Sequence, residues 1–163
     1  MNAVLRQDLD VRRLARSAMG VGDLDEVMGI EQAVYSHPWT RGNFIDSISA
    51  AHLAWCLREP LGGELLAYCV AQRVLDESHL LNITVAGAQW GRGLARGLLQ
   101  TLHAHEQGGG VRQMWLEVRV SNDRALRLYE GLGYRVMGER KGYYPSLDGQ
   151  REDARVMRLE LPA

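Results

Sequence analysis

The chain has 163 residues, a net charge of −1, a hydrophobic share of 46% and a charged share of 24%. These values are typical of one globular domain with a single core, and the balanced charge argues against a general nucleic-acid surface. We find no apolar run of membrane-spanning length and no signal-peptide core, so we expect a cytoplasmic protein without a membrane partner. Cys56 and Cys69 lie far apart in apolar segments, which predicts reduced thiols and no metal site.

The first half of the chain predicts an edge strand, two helices and three strands. Asp23 and Glu26 have the spacing of a capping box at the first helix, and Thr40 can cap the second. A turn at Pro60 to Gly63 joins two strands as a hairpin. The predicted segments are a loose arm over 1–10, an edge strand over 11–15, helices over 24–34 and 40–50, and strands over 53–57, 65–71 and 79–85.

The strand over 79–85 leads into a glycine-rich turn and then a helix. Gly91 and Gly93 let the backbone approach a ligand closely, and the first amides of the helix, at 93–96, have no partner within it. Such a helix start holds phosphate oxygens, and Arg92 and Arg96 add positive charge. The third glycine falls at Gly97, so the dinucleotide spacing is not met, and a P-loop ending is absent. A helix that merely begins with a glycine turn remains an alternative.

The second half predicts a helix, a strand, a helix and two strands. On the strand over 114–120, Glu117 alternates to the side away from the apolar residues. Asn122 or Ser121 caps the next helix, whose buried face carries Tyr129. The predicted segments are helices over 92–106 and 122–131, strands over 114–120, 134–140 and 154–161, and a loop over 142–149.

This order of elements predicts an α/β fold. A helix connects the strands on each side of the glycine-rich turn, so the central strands can run parallel, whereas the hairpins make antiparallel neighbours. The sequence therefore predicts a mixed, mostly antiparallel sheet with helices on both faces.

Several segments resemble a known family. The glycine-rich turn is similar to the acetyl-coenzyme A pyrophosphate loop [QR]-x-x-G-x-[GA] of the GCN5-related N-acetyltransferases (GNAT) at Gly93 and Ala95, with Trp90 at the motif's first position. The segments WLEVR at 115–119, SN at 121–122, LYE at 128–130 and YYP at 143–145 resemble the RimI-type ribosomal-protein alanine N-acetyltransferases. The resemblance runs from about Val21 to the end. It implies the GNAT fold, in which the cofactor lies where a parallel pair of strands, over 80–86 and 114–120, splays apart.

The resemblance implies acetyl transfer from acetyl-CoA to a protein N-terminal amine, and it suggests the alanine N-terminus of the eighteenth small-subunit ribosomal protein as the acceptor. Direct attack in a ternary complex requires that the ammonium lose a proton and the departing thiolate gain one. Glu117 and Tyr129 match the family's positions for the general base and the general acid. From the residues alone, a salt bridge of Glu117 to Arg119 or Arg135 and a packing role for Tyr129 remain alternatives.

The same resemblance implies the remaining site residues. Asn122 matches a position that contacts the cofactor, although it can also cap a helix. Tyr35 and Trp39 border the acceptor site in the family, and Tyr143 and Tyr144 lie in the loop over the acceptor groove. Lysine or small-amine acetylation and a non-catalytic binding module stay open as alternatives. The residues expected at the cofactor are Ile83, Thr84 and Val85 for the pantetheine arm and Gly91, Arg92, Gly93, Leu94, Ala95 and Arg96 for the pyrophosphate.

Overall fold

The computed structural model describes residues 8–163. The order of its elements is the predicted one, so the alternation of helices and strands was correct. The strands are β1 (Ala15–Ala18), β2 (Leu53–Arg58), β3 (Leu65–Val74), β4 (Glu77–Val85), β5 (Gln113–Arg119), β6 (Arg135–Pro145) and β7 (Arg151–Glu160). The helices are α1 (Leu24–Val34), α2 (Arg41–Ser49), α3 (Leu94–Gly108) and α4 (Asp123–Gly131).

One seven-stranded sheet has the order β1-β2-β3-β4-β5-β7-β6. Within residues 8–163 the only parallel neighbours are β4 and β5, and their ladder has three pairs, from Glu77 opposite Gln113 to His79 opposite Trp115. Beyond His79 the two strands separate. The predicted mixed, mostly antiparallel sheet with a splayed parallel pair is confirmed.

A β-bulge in β4 accompanies this separation. Opposite β3, the register shifts between Leu80 and Asn82, so that Leu81 is the extra residue. A bulge bends a strand and reverses the faces to which the following side chains point. Leu80 and Ile83 accordingly pack in the same apolar cluster although they are three positions apart. The bend directs the second half of β4 away from β5.

The sheet separates two apolar clusters, which confirms the prediction of helices on both faces. The first lies under α3 and α4 and includes Leu98, Leu102 and Leu116. The second lies under α1 and α2 and includes Phe44 and Tyr68. Full burial of each large apolar side chain contributes about 1.5–3 kcal/mol, so these clusters hold the helices against the sheet. No helix among residues 8–163 is both long and apolar enough to span a membrane.

The beginning of the described chain differs from the sequence prediction. Residues 1–7 of the predicted loose arm lie outside the described residues, and Val11–Arg13 is a 3-10 turn instead of part of an edge strand. The Asp10 carboxylate accepts a hydrogen bond from the Arg12 amide at 3.0 Å, which caps this turn and delays the strand to Ala15.

The hairpin at the other end of the sheet is longer than predicted. β6 continues to Pro145, so Tyr143 and Tyr144 stand on a strand and the predicted loop over 142–149 shortens. Arg151 donates hydrogen bonds to the carbonyl oxygens of Gly142 and Tyr143, and the Gly142 amide donates to Asp153. These contacts with β7 hold the distal part of β6 in the sheet.

The two cysteines lie on neighbouring strands but on opposite faces of the sheet. Cys56 is opposite Tyr68 and belongs to the second cluster, whereas Cys69 is opposite Trp55 and belongs to the first. The two thiols therefore do not face each other across the neighbouring strands. Burial raises the pKa of each thiol to about 12, which keeps both thiols protonated at neutral pH.

His103 makes the folding free energy depend on pH. Its Nε2 lies 2.7 Å from the Tyr134 hydroxyl, and burial lowers its pKa to about 4, below the value of 6.5 for an unperturbed imidazole. The unfolded chain therefore binds more protons between these values, and this group should lower the free energy of unfolding by about 2 kcal/mol from pH 7 to pH 5. Urea titrations of the wild type and of His103→Gln at both pH values measure the difference. Equal pH dependence in the two proteins would contradict the prediction.

Candidate active site

The candidate site lies in the gap where β4 and β5 separate, and the backbone of β4 forms one wall. The Ala86 amide donates to Leu66 on β3. Because backbone groups alternate along a strand, Thr84 directs its amide and carbonyl toward β3, whereas Ile83 and Val85 direct theirs into the gap. The sequence expectation of main-chain contacts at all three residues is thus wrong for Thr84, because β3 occupies that side.

Two aromatic side chains reach the gap-facing carbonyls. The Tyr35 hydroxyl donates to the Ile83 carbonyl oxygen at 2.9 Å, and the Trp90 indole N–H donates to the Val85 carbonyl oxygen at 2.8 Å. A phenol and an indole can donate to these carbonyls but leave the neighbouring amides unchanged. The amides of Ile83 and Val85 consequently remain directed into the gap.

The glycine-rich turn has the predicted left-handed residues at the start of α3. Gly91 has φ 76° and Gly93, the N-cap of α3, has φ 74°, which glycine adopts without a steric penalty. Gly97 makes the first helical hydrogen bond, to the Gly93 carbonyl at 3.0 Å. The amides of Leu94, Ala95 and Arg96 therefore have no partner within the helix, as predicted from the sequence.

Basic side chains surround this turn. The Arg92 guanidinium donates to the Gln89 side chain at 2.7 Å, so the glutamine one place before the motif position supports the turn. Arg96 reaches the end of α4, with its Nη2 3.0 Å from the position that a Cβ of Gly131 would take. The guanidinium of Arg124, at the start of α4, lies 5.2 Å from the centre of the Trp90 ring. Trp90 thus connects the turn to α4 by a cation–π contact.

The segment before α1 also contacts this turn, which the sequence did not predict. The Leu9 amide donates to the Arg92 carbonyl at 3.0 Å, and the Asp8 carboxylate lies 3.7 Å from the position of a Cβ at Gly93. Val11 packs so closely on Gly97 that an added Cβ would meet it at 2.3 Å. A side chain at position 97 would displace this segment.

Glu117 lies on β5, on the face that carries α1 and α2. Its Oε2 is 2.5 Å from His79 Nε2 and its Oε1 is 3.2 Å from Arg140 Nη1. The alternatives predicted from the sequence, ion pairs with Arg119 or Arg135, are wrong, because the strand register places His79 and Arg140 there. Burial acts to raise the pKa of Glu117, but the hydrogen bond from His79 and the charge of Arg140 outweigh it and hold the pKa below its ordinary value.

Tyr129 approaches from the other face of the sheet, on α4. Its ring packs in the first cluster against Tyr134, at 5.6 Å between ring centres. No other residue in the described part of the chain hydrogen-bonds its hydroxyl. Burial raises the pKa of Tyr129, and the nearby Tyr35 and Tyr144 raise it further, so the phenol keeps its proton at neutral pH. Tyr35 and Tyr144 therefore lie close enough to Tyr129 to influence its pKa.

Tyr143 and Tyr144 each have an arginine side chain over the aromatic ring. Arg140, which binds Glu117, lies 4.6 Å from the Tyr143 ring centre, and Arg119 lies 4.5 Å from that of Tyr144. The two rings meet edge to face at 4.8 Å. Arg140 therefore connects this aromatic pair to the Glu117 carboxylate.

A buried polar network fixes the junction between α1 and α2. Glu31 is almost fully buried, and its carboxylate accepts hydrogen bonds from the Tyr68 hydroxyl at 2.5 Å and the Trp39 amide at 2.9 Å. Asn82 on β4 approaches the same carboxylate and accepts a hydrogen bond from Thr84, whose hydroxyl lies 2.8 Å from that of Tyr35. The network links the junction to the strand that borders the gap.

The structure separates the two junction aromatics that were predicted at the acceptor site. Tyr35 reaches the gap, whereas the Trp39 ring packs on Phe44 at 5.1 Å between ring centres. Trp39 lines a different cleft of about 560 Å³, between α1 and the start of α2. Asn122 accepts a hydrogen bond from the Ala125 amide at 3.2 Å, so its capping role is present.

Several functional candidates were missed from the sequence: His79, Arg140, Glu31, Asp8 and Arg124. Strand alternation alone places His79 and Glu117 on one face, but their meeting depends on the register between β4 and β5. In the described residues, no three side chains of metal-binding types cluster.

The comparison with known protein families identifies the family of this chain. The model of the acetyltransferase (GNAT) family matches residues 24–134, and the chain belongs to this family. The family prediction made from the sequence is thereby confirmed.

Similar curated proteins within this family share one name. Curated relatives named [ribosomal protein bS18]-alanine N-acetyltransferase include that of Escherichia coli (strain K12), 38% identical over 145 residues, which are 89% of this chain and 96% of the relative. The one from Haemophilus ducreyi is 37% identical over 139 residues, 85% of this chain and 94% of the relative.

A solved structure of a protein with the same activity in its name has the same fold as this chain. The Escherichia coli ribosomal-protein-S18-alanine N-acetyltransferase superposes with a TM-score of 0.85 at 37% identity, covering 92% of this chain and 95% of that one. Arabidopsis thaliana NAA60, solved with a bisubstrate analogue, shares the fold at a TM-score of 0.79 and 19% identity, covering 90% and 97%.

The Glu31 network should contribute measurably to stability. Tyr68→Phe removes a donor to a buried carboxylate, and we expect the free energy of unfolding to fall by about 2 kcal/mol. Tyr143→Phe is the matched control on an exposed ring and should change stability by less than about 0.5 kcal/mol. Urea denaturation measures both. Equal stabilities of the two variants would show that the Tyr68 hydroxyl is not needed by Glu31.

Proposed function

We propose that this chain is an Nα-acetyltransferase, one domain throughout, that transfers acetyl from acetyl-CoA to the N-terminal alanine of ribosomal protein bS18. The observation that carries the proposal is the gap between β4 and β5, with Glu117 on one face and Tyr129 on the other. We infer the acceptor from the name of relatives that are 37–38% identical to this chain over most of its length. A ribosomal protein as acceptor assigns the reaction to the cytoplasm.

The gap-facing backbone suits the donor. The pantetheine arm has amide groups, and the Ile83 and Val85 amides can bind it as an added strand. The pyrophosphate is assigned to the unpaired amides of 94–96 and the αL turn at Gly91 and Gly93, with Arg92 and Arg96 nearby. Asn122 can use its amide N–H₂ toward the cofactor while its oxygen caps α4.

The chemistry needs a proton removed from one nitrogen and a proton given to one sulfur. The acceptor ammonium loses its proton through a water drawn by the Glu117 carboxylate, and the released amine lone pair attacks the thioester carbonyl. The carbon–sulfur bond then breaks, and the Tyr129 phenol gives its proton to the departing thiolate. Tyr35, Tyr143 and Tyr144 are assigned to the acceptor, whose N-terminus must reach Glu117.

A peptide assay tests the assignment. We expect thiol release from acetyl-CoA with a short peptide that begins with alanine, and none with the same peptide blocked at its N-terminus but carrying a free lysine. Mass spectrometry of the product locates the acetyl group. Transfer to lysine alone would favour lysine or small-amine acetylation, and no transfer to either peptide would favour a binding module.

The proposed role of Tyr129 as general acid can be tested against Tyr134, whose ring contacts that of Tyr129. Tyr129→Phe should keep the fold and lower kcat about 100-fold, because it removes the proton donor. Tyr134→Phe makes the same change in the adjoining ring, whose hydroxyl contacts His103 instead of the gap, and kcat should stay near the wild-type value. Single-turnover rates with the alanine peptide compare the two variants. Wild-type kcat in Tyr129→Phe would remove the acid role.

A further inference from the structure

The Glu117 carboxylate is one half of a pair with His79. The Nε2–Oε2 distance is 2.5 Å, and the side chain of Glu117 is 10% exposed whereas that of His79 is 36% exposed. His79 stands opposite Gln72 on β3 and opposite Trp115 on β5, at the last rung before the two strands separate. The imidazole is therefore held by strands on both sides and connects the buried carboxylate to the surface.

The charge of Glu117 decides where the hydrogen of this contact lies. Its pKa is held below the ordinary value, so the carboxylate is ionised at neutral pH and can only accept hydrogen bonds. The hydrogen therefore belongs to His79 Nε2. In the neutral imidazole this leaves the lone pair on Nδ1, and no residue among 8–163 hydrogen-bonds that nitrogen.

The same charge makes Glu117 a poor final acceptor for a proton. A general base works best when its pKa is near the working pH, whereas the hydrogen bonds from His79 and Arg140 favour the ionised form of Glu117 and hold its pKa below the ordinary value. An imidazole is the side chain whose ordinary chemistry matches neutral pH. The neutral imidazole of His79 has at Nδ1 a nitrogen lone pair that can accept this proton.

The surroundings of His79 allow it to reach water. His79, Glu117, Gln72, Glu77 and Trp115 line a cleft of about 260 Å³, which has room for several waters. The charged groups around the imidazole are Glu77 on its own strand, Glu117 on β5, Arg140 on β6 and Arg158 of β7, which stacks 5.6 Å from the Trp115 ring centre.

We propose that His79 is a positioning residue for this reaction, which orients Glu117 and takes up at Nδ1, through water of the cleft, the proton that leaves the acceptor ammonium. The proposal rests on the proposed function. The N–H bond of the ammonium breaks and leaves its electron pair on the amine nitrogen. An Nδ1–H bond forms, and the carboxylate of Glu117 stays ionised beside the imidazolium. Water of the cleft removes the proton before the next turnover.

Two substitutions separate proton uptake from orientation. His79→Gln keeps an N–H donor for Glu117 but has no nitrogen that titrates, so kcat should fall at least about tenfold while the KM for acetyl-CoA stays unchanged. His79→Ala should lose activity similarly and recover part of it when imidazole is added to the assay, because the truncated side chain leaves space in the cleft. His105→Gln makes the same change on an exposed part of α3 and should leave kcat unchanged.

The dependence of kcat/KM on pH distinguishes proton uptake by His79 from a purely structural role, which would leave that dependence unchanged. The acidic limb of kcat/KM for the alanine peptide should change in His79→Gln, because the titrating group is gone. A wild-type kcat and wild-type acidic limb in His79→Gln would overturn the proposal while acetyl transfer itself stands. Failure of the wild-type chain to acetylate the peptide at all would instead overturn the proposed function, and the role of His79 with it.

Discussion

The separation of β4 from β5 is the constraint on which the rest of the site depends. A backbone amide that loses its ladder partner inside a protein must find another acceptor, and the gap leaves the Ile83 and Val85 amides in that position. Tyr35 and Trp90 donate hydrogen bonds to the carbonyl oxygens only, so the amides of Ile83 and Val85 stay available for the proposed contact with the cofactor. A bulge at Leu81 accompanies the separation, and a bulge bends the strand in which it lies.

The gap needs rigid walls, and buried polar contacts provide one of them. Glu31 carries a carboxylate into the interior, where an unpaired charge would cost several kcal/mol. The Tyr68 hydroxyl, the Trp39 amide and the Asn82 side chain surround it with donors. Because these donors come from two strands and the helix junction, the network fixes the junction relative to β4. Tyr35 is thereby held where its hydroxyl meets the Ile83 carbonyl.

Local pattern was enough to predict the order of the elements and the sides on which Glu117 and Tyr129 lie, whereas their proposed roles come from the family resemblance. Alternation along β5 placed Glu117 away from the apolar cluster, and helical periodicity placed Tyr129 on the buried face of α4. The partners of Glu117 could not be predicted, because His79 and Arg140 reach it through the β4–β5 register and through a β6–β7 pairing interrupted by bulges. Such registers depend on contacts between segments distant in sequence. The extension of β6 to Pro145 was missed for the same reason, since Arg151 on the partner strand stabilises it.

The environments of Glu117 and Tyr129 push their pKa values in opposite directions, a pattern that assigns acid and base in active sites. The carboxylate is held as an anion by two donors, and the phenol keeps its proton because burial disfavours the phenolate. Each group is therefore in the protonation state that its proposed role requires. The same stabilisation, however, makes the anion a weak proton acceptor. The proposed role of His79 resolves this conflict, because the positive charge that its imidazole gains is stabilised by the neighbouring carboxylate.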